Sequence, residues 1–352
     1  MVTLKDIAAI CNVSVATVSN VINGKGKTSD KTAKMIMRVV EEKGYRPNAM
    51  ARGLRMRRTN MISVIAEDLA QFTTPPIVSG IMRCCEEKGY SVILNNLRLY
   101  DRWSDTWYNQ EKEYHSILDP VLQDVQYAGV DGVIYLAGHA RKIRVEPEKP
   151  PIPCVMAYAY PTSDYVPYVV IDEENSAQEM TRYIISKGHK RIGFIGGRYD
   201  NVHTKSRLEG YQRALYEADI PCDPNLIYYG NWDRKSGYEA ARKFVEMGVT
   251  ACFAISDRIA GGVYDYLIEN DMRAGVDLSV AGFDNEAISS YLNPPLTTMM
   301  IPLHEIGRIS AALLLDKITE SMADDADPDK KTKGTVVKMP CSFIERKSVA
   351  EI

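Results

Sequence analysis

The chain has 352 residues, of which 45% are hydrophobic and 25% are charged. This composition excludes disordered, collagen-like and coiled-coil proteins. The length leaves room for two or three globular domains. Its net charge of −3 is unevenly distributed, because residues 1–60 carry 12 basic and 4 acidic side chains, a net charge of +8, and the rest carries −11. A basic amino-terminal segment on an acidic body predicts a polyanion-binding module attached to another kind of domain.

Two short helices are predicted at the amino terminus. Thr3 and Asp6 have the spacing of a capping box, which begins a helix that ends near Asn12. After a tight turn, Ser14 can cap a second helix. The apolar residues that recur at helical spacing and are expected to face the interior are Leu4, Ile7, Ala8, Val18, Val21 and Ile22.

A third helix is predicted to begin at Ser29 or Asp30 and to end at Gly44. Its expected inward residues are Met35, Val39 and Val40. Three short helices with one tight turn form a helix-turn-helix unit of the kind that reads DNA. Residues 46–60 are rich in Arg and contain no acidic side chain, and Pro47 and Asn48 can begin one more short helix there.

Beyond Asn60, apolar runs typical of β-strands alternate with amphipathic stretches typical of helices. The apolar runs are Ile62–Ile65, Val92–Leu94, Val133–Leu136, Val169–Ile171, Ile192–Ile195, Ile227–Tyr229, Ala251–Ile255 and Leu278–Phe283. This rhythm predicts an α/β fold with doubly wound parallel sheets. The length suits two sheets, and ligands of paired α/β lobes bind in the crevice at the carboxyl ends of the strands.

Short motifs follow one another along nearly the whole chain. In the basic segment they are Thr3–Ala8, Val13–Ser19 and Pro47–Leu54, and in the body they are Gly188–Gly193, Arg207–Tyr211, Ser256–Asp257, Val280–Asp284 and Pro294–Thr298. In this order they closely resemble the motifs of the lactose-repressor/galactose-repressor family of bacterial transcription regulators. The resemblance implies a homodimeric, sequence-specific DNA-binding regulator, a repressor, whose affinity for double-stranded operator DNA is controlled allosterically by a sugar or sugar-derived effector.

The resemblance also implies how the chain is divided. The expected parts are a helix-turn-helix headpiece at 1–46, a hinge helix and linker at 47–60, a first lobe at 61–158 plus 294–321, and a second lobe at 159–293 plus 322–352. Together the lobes would form a body like that of periplasmic binding proteins, joined by three crossovers. In this arrangement the helix Leu303–Ser321 returns to the first lobe, and the strand around Thr335–Met339 completes the second.

A helix-turn-helix unit places the amino-terminal residues of its second helix at base edges in the major groove. Val15 and Ala16 offer apolar contacts suited to thymine methyl groups, and Thr17 and Ser19 can contact phosphate or a base acceptor. The residues expected to contact DNA are Thr3, Ser14, Val15, Ala16, Thr17, Ser19, Asn20, Asn23, Asn48, Ala51, Leu54 and Arg55.

Asn20 and Leu54 have particular roles in this prediction. The family commonly has Arg where this chain has Asn20, and because Asn favours adenine where Arg favours guanine, we expect a different base preference. The alternative is that Asn20 contacts only backbone or water. Leu54 matches the family residue that inserts into the central minor-groove step, and its alternative is an exposed Leu without a role.

The resemblance assigns Arg207 and Asp284 to paired hydrogen bonds with sugar hydroxyls, and Trp232 to the apolar face of the sugar ring. Each has a structural alternative: Arg207 pairs with an acid across the lobes, Asp284 caps a helix, and Trp232 is core. Asp284 directly follows the apolar run that ends at Phe283, which favours the crevice. Further effector contacts are predicted at Glu67, Gln71, Phe72, Tyr158 and Ser256.

The chain departs from the family in ways that leave the effector itself unidentified. Ser256 stands where relatives often have Asn, and Ala157 stands where several have Asp. Trp103 and Trp107 lie in an unusually long segment, 100–115, which either covers the crevice or packs on the surface.

Two competing classes of protein fit the sequence less well. An extracytoplasmic solute-binding protein would share the two-lobed fold but would need a signal peptide, and the basic headpiece occupies its place. An enzyme lacks support because no HExxH, GxSxG, Walker or GxGxxG motif is present, and the pair Glu173–Glu174 is expected on a solvated helix start. We therefore expect a protein that is not an enzyme.

The cysteines and the hydropathy of the chain bear on its compartment and on metals. The seven Cys residues form no CxxC pair, which predicts neither disulfides nor a metal site, and we expect no cofactor. No stretch reaches the roughly 18–20 apolar residues of a membrane span. We therefore expect a cytoplasmic protein without membrane contact.

Overall fold

A computed structural model describes residues 2–22, 28–45, 58–103, 111–146, 150–321 and 333–352 of the chain. Contacts between residues divide the chain into two units, Met1–Thr59 and Asn60–Ile352. In these described ranges, no helix combines the length and the apolar character that a bilayer crossing requires.

The first unit contains the three predicted helices, Leu4–Cys11, Val15–Ile22 and Asp30–Glu42. The capping box of Thr3 and Asp6 is formed, and Ser29 caps the third helix. The small core consists of Ile7, Ala8, Cys11, Val18 and Ile36.

One inward prediction in this unit is wrong. Met35 is 41% exposed, and its neighbour Ile36 is buried instead. The reason is helical spacing, because Ile36 lies three and four positions before the half-buried Val39 and Val40 and so shares their face.

The second unit alternates strands with helices and confirms the predicted α/β class. Its described strands are β1 (Met61–Ala66), β2 (Ser91–Asn96), β3 (Gly132–Leu136), β4 (Lys142–Ile143), β5 (Cys154–Ala157), β6 (Tyr160–Pro161), β7 (Tyr168–Ile171), β8 (Ile192–Gly196), β9 (Ile227–Tyr229), β10 (Ala251–Ala254), β11 (Ser279–Ala281), β12 (Thr298–Met300), β13 (Val336–Met339) and β14 (Ser342–Ile344). Its described α-helices are Thr74–Glu87, Leu99–Trp103, Glu111–Tyr127, Glu173–Ser186, Val202–Glu217, Arg234–Glu246, Asp257–Glu269, Ile288–Tyr291 and Leu303–Ser321.

Two parallel sheets form the centres of two lobes. The first has six strands in the order β13-β7-β5-β3-β1-β2, and the second has four in the order β11-β10-β8-β9. Strands β1, β3, β8 and β10 are almost wholly buried, as expected for parallel strands covered by helices on both faces.

Helices pack in pairs on these sheets. Thr74–Glu87 packs against Leu303–Ser321, and Leu303–Ser321 also contacts β3, β5 and β7. This last helix therefore packs on the first sheet, although it follows the strands of the second sheet in the chain. In the second lobe, Glu173–Ser186 packs on Val202–Glu217, and Arg234–Glu246 packs on Asp257–Glu269.

The predicted boundaries assign two strands to the wrong lobe. Both β7 and β13 were expected in the second lobe, but β13 pairs with β7 and β7 pairs with β5 in the first sheet. The chain leaves the first sheet after Ile171 and comes back to it after β12. It leaves the first sheet again after Met339 and continues into β14, which pairs antiparallel with β12. Pairing between distant segments decides where these crossovers lie, and a local sequence pattern does not reveal it.

Candidate functional site

The exposed end of the second headpiece helix is the candidate DNA-reading surface. The Ser14 hydroxyl accepts a hydrogen bond from the Thr17 backbone N–H at 3.0 Å and so fixes the start of the helix. Val18 is buried, whereas Val15, Ala16 and Asn20 are exposed. The helix therefore presents two apolar side chains and one amide group on its exposed face.

The other DNA-contact predictions fall into two groups. Thr3 and Ser14 are exposed, and Thr17 and Ser19 are half-buried beside the exposed face. The predicted contacts at Asn23, Asn48, Ala51, Leu54 and Arg55 lie outside the described residues.

Arg207 is the centre of the candidate effector site. Its helix, Val202–Glu217, follows β8, and only 1% of the Arg207 surface is exposed. The guanidinium donates to the Ile255 backbone carbonyl just after β10, and its Cζ lies 3.6 Å from the centre of the Phe283 ring, which follows β11. Three strands of the second sheet therefore converge on Arg207 at their carboxyl ends, the position at which open α/β sheets bind ligands.

Glu173 is the principal partner of Arg207. The Arg207 Nε donates to the Glu173 Oε2 at 2.5 Å, and Glu173 is 3% exposed. Burial acts to raise the pKa of Glu173, but Arg207 and His203 outweigh it and lower that pKa to about 2. The expectation that Glu173 lies on a solvated helix start is thus wrong for Glu173, whereas Glu174 is partly exposed and pairs with Arg213.

His203 links the two lobes. Its Nδ1 bonds the second oxygen of Glu173, and its Nε2 accepts the Ala140 backbone N–H from the first lobe at 3.2 Å. A ring nitrogen that accepts a hydrogen bond carries no proton, so the proton lies on Nδ1 and is donated to Glu173. His203 therefore joins the ion pair of one lobe to the backbone of the other.

Asp284 lies on the other side of Arg207, 3.6 Å from its Nη1. Burial raises the pKa of Asp284 well above its ordinary value, against the effect of Arg207. Its backbone has φ 110°, in the region that disfavours side-chain-bearing residues. Asp284 caps no helix, since Ala287 precedes the helix Ile288–Tyr291. Asp284 is held at the crevice end of the strand, and the helix-cap alternative is wrong.

Aromatic rings surround His203. Trp232 meets the His203 ring edge-on at 5.9 Å between centroids, and Tyr158 approaches it at 5.9 Å. Tyr158 is 2% exposed, and Trp232 is half-buried against Gly197. Both predicted aromatic residues are thus beside the ion pair of Glu173 and Arg207.

The first-lobe predictions are only partly brought together. Glu67 is fully buried, accepts the Tyr135 hydroxyl at 2.8 Å and the Gly138 N–H at 2.9 Å, and pairs with Arg141. Gln71 lies beside Gly138, whereas Phe72 is 38% exposed. The carboxylate of Glu67 is therefore already hydrogen-bonded and ion-paired to residues of its own lobe.

Ser256 and Trp103 have structural roles. The Ser256 hydroxyl accepts the Ile259 N–H at 3.2 Å and caps the helix Asp257–Glu269. Trp103 packs against the apolar cluster on one side of the first sheet. Trp107 lies outside the described residues.

Sequence reasoning missed Glu173, His203, His139, Tyr100 and Arg141. The Tyr100 hydroxyl bonds the Nδ1 of His139, and His139 lies 6.2 Å from His203 between ring centroids. Only His203 had a readable signal, because it is four residues before Arg207 and so shares its helix face. The others come from separate elements.

Two family models match the chain. Residues 3–48 match the model described as bacterial regulatory proteins, lacI family, and residues 181–349 match the periplasmic binding protein-like domain. The two matches fall on separate parts of the chain, one in each unit.

Full-length relatives are found among bacterial regulators. Catabolite control protein A of Priestia megaterium is 32% identical over 92% of this chain and 95% of its own length. The HTH-type transcriptional repressor PurR of Vibrio atlanticus is 30% identical over 99% of each chain. The ribose operon repressor of Haemophilus influenzae is 29% identical over 98% of each.

Two solved structures are similar to this chain over nearly its whole length. A complex of the transcriptional regulator CelR with cellobiose is 28% identical, with a TM-score of 0.65, and covers 99% of this chain and 100% of that one. A Lac repressor dimer bound to operator and the anti-inducer ONPF is 23% identical, with a TM-score of 0.78 and 99% of each chain covered. At that identity the second likeness shows the fold alone.

Proposed function

The chain belongs to the lacI family of bacterial regulatory proteins, and from that membership we propose how its two units work together. It is a DNA-binding transcription regulator rather than an enzyme. We assign operator recognition to the helix Val15–Ile22, with Val15, Ala16 and Asn20 at base edges. The protein acts as a homodimeric repressor in the cytoplasm, where its operator is.

The crevice of the second unit is the effector site in this proposal. Arg207 and Asp284 bind adjacent hydroxyls of a sugar or sugar derivative, and Trp232 and Tyr158 supply apolar faces. The CelR structure, with cellobiose bound, supports this choice of ligand class. Glu67, Gln71, Phe72 and Ser256 are retained as more distant contributors to the crevice.

The hydrogen bond between the Ala140 N–H and His203 carries the allosteric part of the proposal. A ligand that engages Arg207 acts on Glu173 and His203 and thereby on the contact between the lobes. Lobe closure then alters how the headpieces of the dimer are held on DNA. Such coupling is typically worth about 1–3 kcal/mol, and operator binding must change effector affinity by the same factor.

Selection of operators from random duplex DNA by the full chain tests this function. We expect a palindromic site, and we expect at least one sugar of a panel containing glucose, ribose and cellobiose to change the affinity for it. A central pyrimidine–purine step is expected if Leu54 inserts there, because such steps kink most easily. Failure to enrich any sequence would contradict the proposal.

A further inference from the structure

Two arginines lie at the effector crevice, Arg207 buried and Arg141 partly buried, and each is neutralised by a carboxylate of its own lobe. Arg207 pairs with Glu173, whose side chain is 3% exposed. Arg141 pairs with Glu67, whose side chain is fully buried. Neither guanidinium therefore adds net positive charge to the crevice.

The two histidines of the crevice are neutral as well. His203 donates from Nδ1 and accepts at Nε2, which is the pattern of an uncharged imidazole. Burial, together with the neighbouring His203 and Arg141, lowers the pKa of His139 to about 3. His139 therefore supplies no cation at neutral pH, and the Nε2 of His203 is used as an acceptor by the Ala140 N–H.

Asp284 adds a third acidic group. It lies 3.6 Å from Arg207, and none of the described residues donates a hydrogen bond to its carboxylate. The charge of Arg207 is already neutralised by Glu173. The three side chains of Arg207, Glu173 and Asp284 therefore have a net charge of zero when Asp284 is protonated and a negative net charge when it is ionised. The crevice carries no net positive charge in either state.

We propose that this charge balance, set by Glu173, makes the crevice specific for an uncharged polyhydroxylated effector and excludes phosphorylated or carboxylated sugars. The inference rests on the proposed effector site. An anion that leaves water for a buried site needs unpaired cations or several N–H donors, and here it would face carboxylates instead. A neutral hydroxyl can donate to Asp284 and accept from Arg207, so it meets no such penalty. Glu173 acts through Arg207 as a positioning residue.

Paired ligands test the charge preference in the unaltered protein. Calorimetric titration would compare glucose with glucose 6-phosphate and ribose with ribose 5-phosphate. We expect at least one neutral sugar to bind and its phosphorylated partner to bind at least tenfold more weakly. Equal or tighter binding of a phosphorylated sugar, or no binding of any neutral sugar, would overturn the inference. Operator binding by the same preparation reports separately on the regulator function.

Glu173→Gln keeps the shape of the side chain and removes its charge. We expect this variant to bind inorganic phosphate and the unaltered protein not to bind it, and we expect the preference for the neutral sugar to fall at least tenfold. Glu174→Gln, one residue away and paired with Arg213 at the surface, is the matched control and should leave the preference unchanged. An unchanged preference in a folded Glu173→Gln variant would show that Glu173 does not set it. If that variant does not fold, the ligand pairs still decide the inference.

Discussion

Among single residues, the charged side chains of the effector crevice are the most constrained. A buried arginine is tolerated only when it is paired and hydrogen-bonded, since an uncompensated buried charge typically costs about 3–5 kcal/mol. Arg207 meets this condition through Glu173, the Ile255 carbonyl and the Phe283 ring. These contacts fix the guanidinium in one place, as the proposed recognition of adjacent hydroxyls requires.

His139 makes the stability of the second unit depend on pH. Its pKa of about 3 lies below the ordinary value of 6.5, so the folded chain binds fewer protons than the unfolded chain between these values. Stability present above pH 6.5 is therefore lost as pH falls towards 3. His139→Gln removes this loss, so the free energy of unfolding relative to wild type should rise by about 2 kcal/mol between pH 6.5 and pH 5.

Urea denaturation at the two pH values measures this difference. Tyr100→Phe is the control, because it removes the hydrogen bond to His139 and leaves the imidazole in place. Burial raises the pKa of Asp257 to about 7, so Asp257 gives a pH dependence of stability of the opposite sign. For this reason the difference in unfolding free energy between variant and wild type is compared at each pH. The prediction would be contradicted if the free energy of unfolding changed by the same amount between the two pH values in wild type and in His139→Gln.

At the scale of elements, glycine sets how closely the paired helices approach. A Cβ on Gly80 would overlap the His304 backbone oxygen, and one on Gly307 would overlap the Ile77 backbone oxygen. The same relation holds in the second lobe at Gly210, Gly237 and Gly262. Close packing of the helix pairs therefore depends on the absence of side chains at their contact points.

Gly80→Ala should separate the helices Thr74–Glu87 and Leu303–Ser321. Because the obstacle is backbone and cannot rotate away, we expect a loss of about 1–3 kcal/mol in the free energy of unfolding, as for other overpacked sites. Ser79→Ala, on the exposed side of the same helix, should change it by less than about 0.5 kcal/mol. Urea denaturation checks both, and wild-type stability for Gly80→Ala would refute the packing argument.

The recognition helix gives a prediction about DNA sequence. Asn20→Arg replaces a side chain that favours adenine with one that favours guanine, so the selected operator should change from adenine to guanine at one position of each half-site. Such a contact is worth about 1–3 kcal/mol of discrimination. Selection from random duplex DNA reports it directly.

A matched control separates base recognition from added charge. Met37→Arg adds the same charge on an exposed face of the third helix and should raise affinity without altering the selected sequence. If Asn20→Arg selects the wild-type operator, Asn20 contacts only backbone or water, the alternative stated for it.

At the scale of the whole molecule, charge is divided by function. The +8 of residues 1–60 lies in the segment that contains the headpiece, and the −11 of the remainder lies mainly in the effector-binding unit. An acidic body discourages nonspecific contact with DNA while the basic segment attracts phosphate. The small net charge of the chain hides this division.

Operator binding should therefore depend steeply on salt. If a dimer neutralises about eight to twelve phosphates, the logarithm of the binding constant should fall with the logarithm of salt concentration at a slope of roughly −7 to −11. Fluorescence anisotropy with labelled operator between low and physiological salt measures this slope. A slope near zero would be incompatible with operator binding through the basic segment.

Local patterns in the sequence were sufficient for much of the fold. Helix caps at Thr3, Ser14 and Ser29 and the buried parallel strands follow from short-range spacing, which nearby residues determine, whereas the helix Leu303–Ser321 was implied only by the family resemblance. The ordered motifs contain Arg207 and Asp284, and Trp232 and Tyr158 were further predicted effector contacts. In the folded unit Arg207 lies beside Asp284, and Trp232 and Tyr158 lie beside His203. Their roles in effector binding remain predictions.

The tertiary structure alone decided the rest. Glu173 was predicted to be solvated because its partners, His203 and Arg207, lie 30 and 34 positions away. Strand β13 joins the first sheet because it pairs with β7. A sequence pattern records the periodicity of one element, whereas ion pairs and strand order arise between elements distant in the chain. The sequence by itself determined the kind of protein, and the packing of distant elements decided the charge and the closure of its effector crevice.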